Sequence, residues 1–204
     1  MKNRKARPDT LDGILEDAWR MLSRGAERPD DPFHRPVLGN TRQQGCNLRT
    51  VILRRVLVSE RRLVCHTDAR APKAGEIRAS GRVVWLFYHP IAKVQLRIYG
   101  RATLHRDDSL ADEQWAATGI TSRLNYATRE PPGTPVEKPT SGLPDTPLGK
   151  VPTLLETETV RSHFMAIACQ IDTMDWLRLS LWGNRRARFS WDHKDGLEAT
   201  WLVP

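Results

Sequence analysis

The chain has few cysteines and no long apolar run, and each scarcity excludes a class of protein. Cys46, Cys65 and Cys169 are far apart and lack C-x-x-C spacing, so neither a disulfide framework nor a thiolate zinc site is expected. They read as small side chains packed in strands. His34, His66, His89, His105, His163 and His193 include no pair four residues apart, which removes the helical form of a metal site. No Ser-His-Asp arrangement is evident, and no protein nucleophile is expected. No apolar stretch approaches the roughly 18 to 20 uncharged residues of a membrane helix, and the basic start (Lys2, Arg4, Lys5, Arg7) is not followed by an apolar signal core. A cytoplasmic protein without a membrane partner is the expectation.

What is present is ordinary in amount and biased in sign. The 204 residues are 39% hydrophobic and 27% charged, with a net charge of +8, enough for one domain over 1–204 with a substantial core. Such a balance favours anionic ligands. Arginines are spread over strands, loops and both ends with no aromatic RNP pattern or zinc finger, so small phosphorylated ligands come before polynucleotides as partners.

Residues 1–8 hold no apolar periodicity and read as a disordered basic arm. Leu11, Ile14, Leu15, Ala18, Trp19 and Leu22 recur at three- and four-residue spacing, which predicts a helix from Asp9 or Thr10 to Arg24, stopped by Gly25. Strands are predicted over 37–43, 46–58, 62–67, 83–88, 93–105, 165–172, 176–181, 186–192 and 197–203. The run over 83–88 is so continuously apolar that it predicts burial on both faces. Over 93–105 the alternation is clean: Val94, Leu96 and Ile98 face one way, Gln95, Arg97 and Tyr99 the other. Pro72 suits the first turn of a helix over 72–79. Further helices are expected over 109–117, around 122–127 and over 153–161. Residues 128–152 carry seven prolines and three glycines, which predicts a long loop. Many strands joined by hairpins, with few helices, argue for a mainly β, antiparallel barrel with peripheral helices.

Three stretches organise the whole. They are Arg49–Arg54 (RTVILR), residues 62–73 (RLVCHTDARAPK) with Lys73 six positions after Thr67, and residues 95–100 (QLRIYG). In order and spacing they resemble the FMN-binding split β-barrel proteins of the pyridoxamine 5′-phosphate oxidase-like superfamily. Within it they are most similar to the branch called pyridoxamine 5′-phosphate oxidase-related, FMN-binding. The resemblance runs from about Ala18 to the C-terminal Trp-Leu-Val-Pro. It implies a Greek-key split barrel, FMN as cofactor, and a homodimer with two sites across the interface.

The resemblance also assigns residues. Arg49 and Lys73 would bind the phosphate, with Thr50 and Thr67 near it. Rigid guanidinium donors suit phosphate oxygens, and Lys73 lies in a helix's first turn, where exposed N–H groups favour an anion. Arg54 matches a second cation of the same strand motif. Five positions place Arg49 and Arg54 roughly 16 Å apart on opposite faces of a regular strand, so either the strand bulges or one of them alone reaches the cofactor, and Arg49 is the one expected. Gln95 offers an amide to the ring edge, and Arg97 shares its face. His66 packs against the ring or is a partly buried histidine. Ser122 and Arg123 resemble a Ser-Arg pair that approaches the phosphate or dimethylbenzene side. Arg185 and Arg188 resemble arginines brought from the partner subunit, although a solvated basic turn is an equal reading.

The departures from the family fall on the substrate side. The Tyr, Arg and Ser that grip substrate phosphate in true pyridoxamine phosphate oxidases have no clear counterpart in SLADEQWAATGITSRLNY, and Ala187 stands between Arg186 and Arg188 where a histidine is expected. The expectation is therefore an FMN-dependent oxidoreductase passing hydride from an unidentified small substrate to flavin N5. A nicotinamide-dependent flavin reductase, a non-catalytic FMN-binding module and a basic nucleic-acid-binding barrel are the alternatives.

Overall fold

The computed structural model describes residues 10–144 and 152–204. The predicted basic arm and residues 145–151 of the Pro-rich loop lie outside the described residues.

The first helix, α1 (Leu11–Glu27), opens where Thr10 Oγ1 accepts the Gly13 N–H at 3.2 Å. Its apolar stripe, with Ile14, Ala18, Met21 and Leu22, is buried. Gly25 does not stop the helix. It lets Phe33 approach, since a Cβ there would lie 2.6 Å from Phe33 Cβ.

The strands are β1 (Val37–Thr41), β2 (Cys46–Thr50), β3 (Arg55–Leu57), β4 (Arg62–Asp68), β5 (Arg82–His89), β6 (Val94–His105), β7 (Phe164–Arg178), β8 (Arg185–Trp191) and β9 (Leu197–Leu202). Every pairing is antiparallel, in the order β2-β1-β5-β6-β7-β4-β3, with β8 and β9 extending from the other end of β7. The helices α2 (Pro72–Ser80), α3 (Ser109–Ala116), α4 (Ile120–Arg123) and α5 (Leu154–Glu158) lie outside the sheet. This is the expected split-barrel architecture, and the sheet is not closed.

Four local expectations are corrected. The predicted strand over 46–58 is two strands. Between them Val51 N–H bonds Pro36 O at 2.9 Å and Leu53 N–H bonds His34 O at 3.0 Å, and Arg54 N–H then reaches Val64 O at 2.8 Å, so the chain passes from β1 to β4. The segments predicted over 165–172 and 176–181 are one strand, β7, whose irregularity is a register shift opposite Tyr99 and Gly100. Gly100 permits it, because a Cβ would lie 2.1 Å from Gln170 O. The helix predicted over 153–161 is the short α5 followed by a 3₁₀ turn. Finally, β5 is buried on one face alone: Val83, Trp85 and Phe87 enter the core while Val84, Leu86 and Tyr88 face out.

One large core gathers α1, Phe33, Leu38, Trp85, Phe87, Leu96, Ile98 and Phe189. A smaller cluster joins Val64, Trp115, Tyr126 and Phe164 under α3. Strand β4 divides them: Leu63 and Cys65 face the first, Val64 the second.

Candidate functional site: a cation cluster beside strand β4

Register decides which predicted residues can meet. Arg49 stands opposite Leu38, a core residue, and so shares the inner face of the sheet. Its guanidinium donates to Leu38 O at 3.3 Å and to Asn40 Oδ1, and lies 3.9 Å from Glu76 Oε2. Glu76 on α2 accepts from Asn40 Nδ2 at 2.9 Å and Asn47 Nδ2 at 2.7 Å, which ties the helix to β1 and β2 and holds its carboxyl below the usual range. Sequence reading missed this Asn-Glu-Asn brace.

Lys73 enters from the first turn of α2. It makes no ion pair with any described residue. Burial first, and then the charge of Arg49, hold its ammonium below the ordinary lysine value. Burial also lowers Arg49, with Glu76 opposing. The buried Cys65 thiol is pushed up to about 12, by burial first and by Cys169, while the charges of Lys73, Arg49 and Arg54 pull the other way. Arg49 on β2, Arg54 in the segment between β2 and β3, and Lys73 on α2 thus all act on the Cys65 thiol in the middle of β4.

Because the chain leaves β1 for β4 at 51–54, strict alternation from Arg49 to Arg54 does not apply. Arg54 has no carboxylate partner among the described residues, and its Nε is buried without an acceptor. Beside it His66 meets Phe164 edge-on at 4.7 Å, and His66 Nε2 lies 3.1 Å from Gln114 Oε1. His66 Nδ1 is buried without a partner. Burial and the charge of Arg54 lower the His66 pKa to about 4 against the Gln114 hydrogen bond, so the ring is neutral near pH 7. Burial raises the Tyr126 phenol, again within the field of Arg54.

Thr67 is buried, its hydroxyl donating to Asp68 O at 3.3 Å. Asp68 grips Arg70 at 2.7 and 3.0 Å, and Arg70 continues to Thr128 O at 2.9 Å and Thr128 Oγ1 at 3.0 Å. The start of the Pro-rich loop is thereby pinned beside the cluster. Arg70 was not singled out in the sequence; its position next to Asp68 at the end of β4 was the available signal.

A second group sits elsewhere. Gln95 and Arg97 are on the outer face of β6, opposite the core-facing Leu96 and Ile98. Across the sheet one outer row runs Thr50, Val37, Leu86, Arg97, Asp175, Arg188. Asp175, 1% exposed, takes Arg97 at 3.2 Å, Arg186 at 2.8 Å and Arg188 at 3.6 Å. Burial alone would raise its carboxyl, but Arg186 and Arg97 hold it below the usual range. Thr50 therefore faces away from Arg49, and one chain does not unite Gln95, Arg97 and Arg188 with the cluster at β4.

The remaining candidates lie apart from both groups. Arg123, expected near the cofactor, is buried among helices: Nε donates to Thr118 O at 2.9 Å, one terminal nitrogen to Trp115 O at 2.9 Å, the other to Thr157 Oγ1 at 3.3 Å and to Glu158. It also lies 4.2 Å over the Trp115 ring. Four of its five N–H groups are thereby engaged, and the side chain is buried away from the surface. Ser122, next to it on α4, accepts at its backbone oxygen from Asn125 Nδ2 at 3.1 Å. Arg185 stacks over Trp201 at 4.9 Å. Cys46 is exposed, unlike the other two cysteines.

Fold and cluster together define an open antiparallel split barrel with Arg49, Arg54 and Lys73 near the buried Cys65 of β4. Residues 17–106 match the family described as pyridoxamine 5′-phosphate oxidase, FMN-binding domain. The match contains Arg49, Arg54, His66, Thr67, Lys73, Gln95 and Arg97 and ends before the C-terminal arginines. Among solved structures, a pyridoxamine 5′-phosphate oxidase-related, FMN binding protein from Nostoc punctiforme shares the fold with a TM-score of 0.70 at 20% identity, over 93% of this chain and 96% of that one. PhzG from Burkholderia lata, solved in complex with tetrahydrophenazine-1-carboxylic acid, gives 0.66 at 15% identity over 100% and 97%. A Clostridium acetobutylicum protein related to general stress protein 26 gives 0.54 at 8% identity over 87% and 94%. No curated protein matches the chain in sequence.

Proposed function

We propose that the chain is an FMN-dependent oxidoreductase acting as a homodimer. The observation that carries this reading is the convergence of Arg49, Arg54 and Lys73 on β4, with Glu76 the one carboxylate ion-paired to the trio among the described residues. Cations gathered away from water are costly unless an anion joins them, and a dianionic phosphate suits this donor set. Arg49 is held in place by Leu38 O and Asn40, so it receives the phosphate with little loss of rotamer freedom. Arg54 Nε and His66 Nδ1, both buried and unpartnered, offer a donor and an acceptor to polar groups further along the ligand.

Bound FMN supplies a two-electron acceptor for hydride. The chain's part is to anchor the phosphate, exclude water with the Pro-rich loop pinned by Arg70, and present Gln95 to the polar edge of the ring. Gln95 lies on the outer face, so it serves a site completed by a second copy. The outer face suits a dimer contact because Leu48, Val84, Leu86, Tyr88 and Tyr99 on it are exposed, Leu48 at 69%.

The test is anaerobic mixing of FMN-loaded protein with pyridoxamine 5′-phosphate, NADH and NADPH in turn, following the visible flavin band. Bleaching by one donor, with reoxidation on admitting O₂, is the expected result. A loaded protein that dithionite bleaches and none of the three reduces would count against an oxidoreductase of this kind.

A further inference from the structure

The split in the barrel leaves a cleft that the cofactor site does not use. Strand β4 pairs with β7 as far as Gln170 and β8 takes over at Thr173, so the two part at Ile171 and Asp172. A cavity of about 890 Å³ opens there, between the turn at residues 59–62 and the hairpin turn that joins β8 to β9.

The floor of the cleft is a straight row. Arg82 stands opposite Arg101, Arg101 opposite Gln170, and Gln170 opposite Arg62, one residue from each of β5, β6, β7 and β4. Directly paired residues share a face, so three guanidiniums and an amide line up across four strands about 4.8 Å apart. The face is the outer one, since Val83 and Leu63, next in chain to the ends of the row, are core residues.

Like charges directly opposite each other are destabilising, and the row sets Arg82 against Arg101. Asp172 serves both, at 3.7 and 3.3 Å, while Arg62 has Glu60 at 3.0 Å. Three cations thus share two carboxylates. The side chains of Arg82 and Arg101 are 72% and 55% exposed, and each spends one terminal nitrogen on Asp172. The acids of the facing hairpin turn are engaged elsewhere: Asp192 accepts the N–H groups of Lys194 and Gly196 at 2.7 and 2.8 Å, and Asp195 is paired with Arg61.

The row stands apart from the cofactor residues. Arg101 is six positions from Gln95 on β6 and Arg62 five from Thr67 on β4, about 20 and 17 Å along the strands. Its repeat selects the ligand. On an extended acidic peptide the side chains of one face recur about every 7 Å, further apart than the strands. A phosphoanhydride chain carries an oxyanion on every phosphorus and can bridge neighbouring guanidiniums, whose planar forks match phosphate oxygens two at a time.

We infer that Arg82, Arg101, Gln170 and Arg62 form a binding row for a polyphosphate chain, free or as the tail of a nucleotide. The row is independent of the FMN reading, because it shares no residue with it.

The experiment is calorimetric titration of tripolyphosphate, ATP, orthophosphate and hexaglutamate into the full-length protein at physiological salt. The proteins are the wild type, Arg101→Gln, Arg49→Ala with Lys73→Ala, and Arg28→Gln as a charge-matched control on an exposed side chain. Saturable binding of tripolyphosphate, at least tenfold tighter than orthophosphate or hexaglutamate, is expected. Arg101→Gln should weaken it at least tenfold, whereas Arg28→Gln and the double variant should retain it. Tighter binding of ATP assigns the tail of a nucleotide, and equal or weaker binding assigns the free chain. Should Arg101→Gln fail to fold, Arg62→Gln carries the same expectation. No saturable binding, an equal loss in Arg28→Gln, or hexaglutamate bound as tightly overturns the row. Binding lost in Arg49→Ala with Lys73→Ala and kept in Arg101→Gln overturns it too, since the anion then sits at the β4 cluster.

Discussion

Two basic regions of this chain, one buried and one half-buried, are built on opposite plans. Around Arg123 each guanidinium nitrogen has an acceptor within hydrogen-bond distance, Glu158 balances the charge, and the plane stacks on Trp115. Beside β4, Arg49, Arg54 and Lys73 share one carboxylate at 3.9 Å, and Arg54 Nε has nothing to donate to. The first region is complete as it stands. The second sets three cations against one carboxylate. Counting acceptors against donors separates Arg123, whose nitrogens all find acceptors within the chain, from Arg54, whose Nε finds none.

The largest expected effect breaks the incomplete region. Removing two charge-assisted phosphate contacts, each contributing on the order of 2 kcal/mol, should weaken FMN binding roughly a thousandfold in Arg49→Ala with Lys73→Ala. Fluorescence titration measures it, and circular dichroism with gel filtration should find the variant folded and dimeric. Unchanged affinity would remove the phosphate site from the β4 cluster.

Breaking the complete region should act on stability instead. Arg123→Ala leaves the carbonyls of Trp115 and Thr118 without their donor, and a loss of about 3 kcal/mol in urea unfolding is expected. FMN affinity of the folded protein should move far less than stability. A loss of FMN binding with stability intact would return Arg123 to the cofactor site.

His66 sharpens the contrast through pH. Its folded-state pKa, about 4, lies below the ordinary 6.5, so the unfolded chain binds the proton first and stability falls as pH drops from 6.5 towards 4. The deficit at pH 4.5 is on the order of 2–3 kcal/mol, and His66→Phe should flatten this part of the profile. An unchanged pH slope in the variant would place the titrating group elsewhere. The smallest effect belongs to Arg70→Ala, which unpins the Pro-rich loop. About 1 kcal/mol of stability should go, with faster proteolysis within 128–144. A cleavage rate equal to the wild type would show that Arg70 does not hold the loop.

Much of the cluster was legible because its parts are local. RTVILR, the spacing from Thr67 to Lys73, and Pro72 opening a helix are short-range signals, and the alternation from Val94 to Tyr99 gave the two faces of β6 correctly. What escaped was set by long-range packing. The run Val-Val-Trp-Leu-Phe-Tyr reads as buried on both sides because its outward residues are apolar too; an exposed apolar face and a core face have the same composition. Gly25 looked like a stop signal, whereas Phe33 packs against it. The loosened pattern at 173–176 hid both a register shift against Gly100 and Asp175, whose partners come from strands β6 and β8. Nothing in the sequence around Ser122 and Arg123 announces that four acceptors, from α3, the turn after it and α5, surround one guanidinium.

The central claim is that the β4 cluster holds the phosphate of FMN. Paired titrations of the wild-type protein with FMN and with riboflavin, at the same salt concentration, test it most directly. The account predicts saturable FMN binding at least a hundredfold tighter than riboflavin, with the gap narrowing as salt rises. Equal affinity for the two would mean that the phosphate is not gripped, and would contradict it.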